Sequence, residues 1–152
     1  MNLDIEQLIA EREIYRQLVK FAGAMDAKDW PAFEQLTLTD IEADVGLGLK
    51  KGREPLVETM RQFLDNCGVT QHLLGNVLIE VDGDTADSQS YVADMHLGLG
   101  NKSELSFRTL GIYYDQWQRV DGCWLMSSRK KDNRATMGSM DVFSGVRINL
   151  LP

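Results

Sequence analysis

The sequence predicts one α+β domain, with about three N-terminal helices against a curved, mixed but mostly antiparallel sheet. Three observations predict it. Apolar residues recur at helical spacing through the first half of the chain, and long β-rich stretches separated by Asp-Gly turns fill the second. The length of 152 residues, 43% of them hydrophobic, suits one domain with a sizeable core. Helices first and strands afterwards is an α+β layout rather than an alternating one.

The elements follow in order. Ile5, Leu8, Ile9, Ile14, Leu18, Phe21 and Ala22 mark a long amphipathic helix from Leu3 to Ala24, stopping near Gly23–Asp26. Asp29 is placed to cap a short second helix, with Pro31 in its first turn and Leu36 at its end. Ile41 to Leu49 alternates loosely, as a short strand does. Gly52 breaks the chain, and Leu56, Val57, Met60, Phe63 and Leu64 give a third helix over Glu54–Asn66. Strands follow from Thr70 to Val81, Thr85 to Leu97, Leu105 to Val120 and Cys123 to about Lys131. Asp82-Gly83-Asp84 and Asp121-Gly122 are the hairpin signals. Residues 1–135 form the domain, and 136–152 read as an irregular tail that packs on the domain or on a neighbouring subunit.

Charge and composition exclude several classes. The net charge of −7 argues against nucleic acid, whose phosphates demand a basic face. No stretch approaches the roughly 20 apolar residues that span a bilayer, and the N-terminus lacks a signal-like core, so a cytoplasmic protein is expected. Cys67 and Cys123 have no metal spacing and read as two reduced, buried thiols. Neither Gly46-Leu47-Gly48 nor Gly98-Leu99-Gly100 sits in a βαβ unit, so no nucleotide cofactor is expected, and two histidines without HExxH spacing imply no metal. Lys50-Lys51 and Arg129-Lys130-Lys131 read as short solvated runs.

Histidine occurs only at His72 and His96, on the first two long strands. A three-residue hairpin loop sets the two directly opposite on one sheet face; a two-residue loop pairs His72 with Met95 and separates the imidazoles. In the first two long strands the even positions form a mixed face suited to a ligand, and the odd ones a nearly pure apolar face. Such a face needs covering and favours an oligomer. Asp26 is the carboxylate placed to orient one imidazole.

At this point the chain resembles a family. Ala24-Met25-Asp26-Ala27-Lys28-Asp29-Trp30, Thr70-Gln71-His72 with Gly75-Asn76, and Arg119-Val120-Asp121-Gly122-Cys123-Trp124 look like SnoaL-like proteins of the nuclear transport factor 2-like superfamily. The similarity covers most of residues 5 to 132. It implies a cone-shaped barrel, with the sheet wrapped around the helices and a ligand cavity inside. The functional resemblance is to scytalone dehydratase, hexachlorocyclohexane dehydrochlorinase and bile-acid 7α-dehydratase. It implies Asp26 and His72 as a catalytic pair, His96 as a second catalytic histidine and Arg129 as a cavity arginine. Two tyrosines that hold a water in scytalone dehydratase correspond to Met25 and Val45, and the bile-acid enzyme's helical tyrosine to Phe21, so a more apolar cavity is expected. Tyr113 or Tyr114 is the alternative source of a phenol.

Together these readings describe a cofactor-free lyase or isomerase that works by general acid–base chemistry, a dehydration-type elimination on a small hydrophobic or cyclic ligand. His72 takes a carbon-bound proton, His96 protonates the departing hydroxyl or steadies a developing enolate, and Phe21, Met25, Val45, Tyr113 and Arg129 bind substrate. A homodimer or homotrimer is expected. The alternatives are a non-catalytic small-molecule-binding protein and a scaffold like a dioxygenase small subunit.

Overall fold

In the computed structural model, which describes residues 5–143, the first helix α1 (Ile5–Ala27) runs to Ala27 because its apolar stripe continues past Ala24. Ile14, Leu18, Phe21 and Met25 are buried along it, whereas Ile5, Leu8 and Ile9 are exposed. The helix ends where Lys28 takes a left-handed φ of 55° and the amides of Lys28 and Asp29 reach back to Met25 and Ala24. The short helix at Trp30–Gln35 is 3₁₀ rather than α, and Asp29 precedes it without a side-chain cap. Phe33 inserts there between Trp30 and Phe21.

The first strand begins earlier than its alternation suggests, at β1 (Thr37–Asp44). It ends at Asp44 because that carboxylate accepts the amides of Gly46 and Gly48, a local turn that competes with strand pairing. A two-residue β2 (Lys50–Lys51) follows, then α2 (Arg53–Leu64), which buries Leu56, Met60 and Leu64 at helical spacing. The long strands are β3 (Thr70–Asp82), β4 (Thr85–Leu97), β5 (Ser106–Val120) and β6 (Cys123–Gly138). β6 runs past the expected end at Lys131. The final 3₁₀ turn, Met140–Phe143, buries Val142 and Phe143; the rest of the expected tail lies outside the described residues.

The six strands form one open, curved sheet in the order β2-β1-β6-β5-β4-β3. All neighbours are antiparallel except β1 and β6. Helix residues Ile14, Leu18, Phe33 and Leu56 fill its concave side against Trp117, Trp124 and Met126. Cys67 is buried, but Cys123 is exposed at the β5–β6 turn, contrary to expectation. Among the described residues no helix is long and apolar enough to cross a membrane.

Three bulges set which side chains face the concave side. The β3–β4 hairpin has the two-residue turn Gly83-Asp84, which alone would pair His72 with Met95. Asn76 and Val77 then sit together opposite Ser90, and Asn76 takes a φ of 48°. The extra residue shifts the register, so His72 pairs with Asp94 and Thr70 with His96. The two-residue loop is thus the observed one, but neither pairing of His72 read from the sequence is, and both histidines share a face. On β3 the inward residues therefore switch from Val77, Ile79 and Val81 to Thr70, His72 and Leu74. Ser127 and Arg134 are the extra residues of two similar shifts in β6, the first of which turns Arg129 and Lys131 inward.

A prediction follows from the bulge. Asn76→Val places a β-branched side chain at positive φ and should cost about 1–2 kcal/mol in chemical denaturation, while Asn76→Gly should not destabilise.

Candidate functional site

The end of α1 meets the outer edge of β3 through one carboxylate. Asp26 Oδ2 accepts the backbone N–H of His72 at 3.0 Å, and Oδ1 accepts the Thr70 hydroxyl at 2.9 Å. His72 Nδ1 lies 2.7 Å from Oδ1. Burial raises the Asp26 pKa, but these hydrogen bonds and the neighbouring His72 outweigh it, and the net value lies below ordinary. An ionised carboxylate only accepts, so Nδ1 carries a proton, and in the neutral imidazole this leaves the lone pair on Nε2.

His96 is fixed in the same sense. Its Nδ1 lies 3.2 Å from the Phe107 carbonyl oxygen, which also can only accept, so its Nε2 is a second lone pair. Asp94 Oδ1 is 3.6 Å from that Nδ1, beyond hydrogen-bond range. The two rings stand edge to face with centroids 5.5 Å apart. Burial is the largest influence on His96 and lowers its pKa; Asp94 opposes this, and His72 and Lys131 add to it. In the neutral tautomer with Nδ1–H, His96 presents a lone pair rather than a proton at Nε2.

Both histidines line a cavity of about 250 Å³, at the small end for ligand sites. Its apolar wall comes from Phe21 and Met25 of α1, Met60, Phe63 and Leu64 of α2, Val45 after β1, and Phe107 and Phe143. Every substrate-binding residue expected from the sequence borders it, including Tyr113 and Arg129. Tyr114 is the outward one of the tyrosine pair. Asp26 stands behind His72 rather than in the wall.

Of the basic run on β6 only Lys130 is solvated; Arg129 and Lys131 face inward. Arg129 is 2% exposed and makes a two-pronged ion pair with Asp115, Nε to Oδ1 at 2.7 Å and Nη2 to Oδ2 at 2.8 Å. Its guanidinium is sandwiched between the rings of Tyr113 and Phe21, 3.8 and 4.2 Å from their centroids. Burial alone lowers an arginine's pKa, but Asp115 more than restores it, so the guanidinium is charged. Lys131 Nζ donates to Asp94 Oδ2 at 2.6 Å and to Thr109 Oγ1 at 2.8 Å, with its side chain 9% exposed. Thr109 completes the group by donating its amide and hydroxyl to Asp94. Burial raises Asp94, but Lys131 and Thr109 bring its pKa below ordinary.

Asp94, Thr109 and Lys131 went unnoticed as site residues in the sequence. Asp94 was legible, since it shares the even face of β4 with His96. Lys131 was hidden by its basic neighbours and by the Ser127 bulge.

Comparison with known proteins agrees with this architecture. Residues 6–130 match the model of the SnoaL-like domain. An uncharacterized protein of Mycobacterium tuberculosis is 30% identical over 115 residues, 74% of this chain and 77% of the relative. A scytalone dehydratase-like structure from Novosphingobium aromaticivorans superposes with a TM-score of 0.78 at 22% identity, over 93% of this chain and 91% of that one. The hexachlorocyclohexane dehydrochlorinase of type 3 from Novosphingobium barchaimii gives 0.75 at 18% identity, over 95% and 96%. These two share the cone-like fold.

The histidine environment predicts a pH dependence of stability. An unfolded His96 titrates near its ordinary value of about 6.5, above its folded one. Below about pH 6.5 the unfolded chain takes up a proton that the folded one refuses, so stability is lost as pH falls. Asp26 acts in a separate, more acid window, its contribution lost only as pH falls below the ordinary carboxylate value of about 3.9. Urea denaturation from about pH 7.5 to about 5 should show the decline, and His96→Gln should flatten it.

Proposed function

The chain belongs to the SnoaL-like domain family, and from that premise we propose that it is a cofactor-free lyase or isomerase acting by general acid–base chemistry in this cavity. The observation that carries this reading is the 2.7 Å contact between Asp26 and Nδ1 of His72, with the imidazole bordering an apolar cavity. A non-catalytic binder has no need of a carboxylate that fixes one tautomer.

The chemistry runs as a dehydration-type elimination. Nε2 of His72 removes a proton from a substrate carbon, and Asp26 stabilises the imidazolium that forms. The electrons of the broken C–H bond form the C=C bond as the neighbouring C–O bond breaks. His96 Nε2 accepts a hydrogen bond from the substrate hydroxyl and orients it. The proton on His72 then passes to the departing oxygen and completes a molecule of water. If no leaving group is present, return of the same proton to another carbon gives an isomerisation. Phe21, Met25 and Val45 select a compact ligand, of about one or two rings in a cavity this small. Leu73, Tyr91, Leu110 and Tyr114 form an exposed apolar strip on the convex sheet face, which supports self-association as a homodimer or homotrimer.

The test is a screen of small cyclic β-hydroxy carbonyl compounds for formation of the unsaturated product. His72→Ala should abolish turnover while leaving ligand binding within a few-fold of wild type. Asp26→Asn should lower kcat by roughly 10²–10⁴-fold. Full turnover by His72→Ala on a substrate found in the screen would remove the proposal.

A further inference from the structure

Strand β6 lays a polar track along one wall of the cavity. Its inward positions after the Ser127 bulge are Arg129, Lys131, Asn133 and, past the extra residue Arg134, Thr136, and all four border the cavity. The first two are ion-paired to Asp115 and Asp94. Asn133 and Thr136 are exposed instead, and their side chains have no hydrogen-bond partner among the described residues. Three steps of two residues each carry the track over roughly 20 Å of strand. A ligand of one or two rings is shorter than that, so the track runs on past it.

The exposed members of the lining mark the mouth of the cavity: Gly46, Leu47, Asn133, Thr136 and Met140. The Gly46-Leu47-Gly48 loop is held there by Asp44, which accepts the amides of both glycines. Gly46 has a φ of 92°, and a Cβ on it would lie 2.5 Å from the Asn133 side-chain nitrogen. The loop therefore seats the Asn133 amide at the mouth and brings Leu47 to the same opening.

We infer that the substrate is a ring compound bearing a neutral hydroxylated arm, a sugar, with the ring in the cavity and the arm at the mouth, hydrogen-bonded by Asn133 and Thr136 and packed by Leu47 and Met140. The inference deepens the acid–base function proposed above and rests on it for the chemistry at the ring. An amide and a hydroxyl both donate and accept, as sugar hydroxyls do. A sugar ring also presents C–H faces, which suit the two apolar side chains. An apolar arm would desolvate Asn133 and Thr136 without replacing their hydrogen bonds with water. A phosphate or carboxylate arm lacks a cation to meet it. Both cations of the lining already have carboxylate partners, and Arg134 lies on the convex face over Tyr91.

The test reads binding with four probes that share one aryl ketone and differ in the arm: para-methoxyacetophenone, para-acetylphenyl glucoside, para-(cyclohexylmethoxy)acetophenone and para-acetylphenyl phosphate. Calorimetric titration of the wild-type protein should show the glucoside binding about 10-fold more tightly than the methoxy compound, and more tightly than the other two. Asn133→Ala/Thr136→Val alters only exposed side chains and should bring the glucoside to within about twofold of the methoxy compound, whose own affinity stays unchanged. A wild-type protein that binds the glucoside no more tightly than the methoxy compound overturns the inference, as does a preference that survives in the double variant. Equal affinity for the cyclohexylmethoxy or phosphate probe overturns the assignment of a neutral hydroxylated arm. His72→Ala should keep the glucoside preference, so failure of the acid–base reading appears in turnover and failure of the arm site in binding.

Discussion

The structure depends on what happens at the free edge of β3. An edge strand exposes backbone N–H groups that need partners, and here a helix supplies one instead of another strand. Asp26 occupies that position, taking the His72 amide on one oxygen and the Thr70 hydroxyl and His72 imidazole on the other. One side chain therefore anchors the helix to the sheet, covers part of the edge and selects the histidine tautomer. Asp26 sits in the last turn of the helix, which a left-handed Lys28 ends just beyond it. The proposed chemistry and the closure of the cone share the same three hydrogen bonds.

Much of the architecture was legible because periodicity survives in the sequence. The long helix, α2 and the starts of the four long strands follow from residue spacing and from turn residues such as Asp82-Gly83 and Asp121-Gly122. Side-chain facing was less legible, since strict alternation fails wherever a bulge adds a residue. Val77, Ile79 and Val81 read as sharing a face with Leu73, yet the two groups lie on opposite sides of Asn76 and of the sheet. Arg129 and Lys131 resemble a solvated run until Ser127 is recognised as an extra residue. The pairing of Asp26 with His72 spans 46 positions and came from family resemblance, not from local pattern.

Burial of so many ionised groups is costly, and the sheet handles it by pairing across neighbouring strands. Asp115 and Arg129 are register partners on β5 and β6, as are Asp94 and Thr109 on β4 and β5. The Arg129 ion pair is further packed between two aromatic rings, which shields it from water. A buried pair of this kind adds little net stability, but leaving either member alone is expensive, typically about 3–5 kcal/mol. The polar half of the cavity is consequently rigid, while the apolar half is built of methionine and phenylalanine that can repack.

Phe143 sets a different kind of consequence. It arrives on the last 3₁₀ turn, after all the strands are complete, and its ring lies against His96, Phe63 and Phe107, with centroids 5.0 to 5.6 Å away. The wall of the cavity is thus partly made by a segment that carries none of the sheet pairing. Such a segment can change in sequence without breaking a single strand pairing, so ligand preference there is coupled to core packing but not to the register of the sheet.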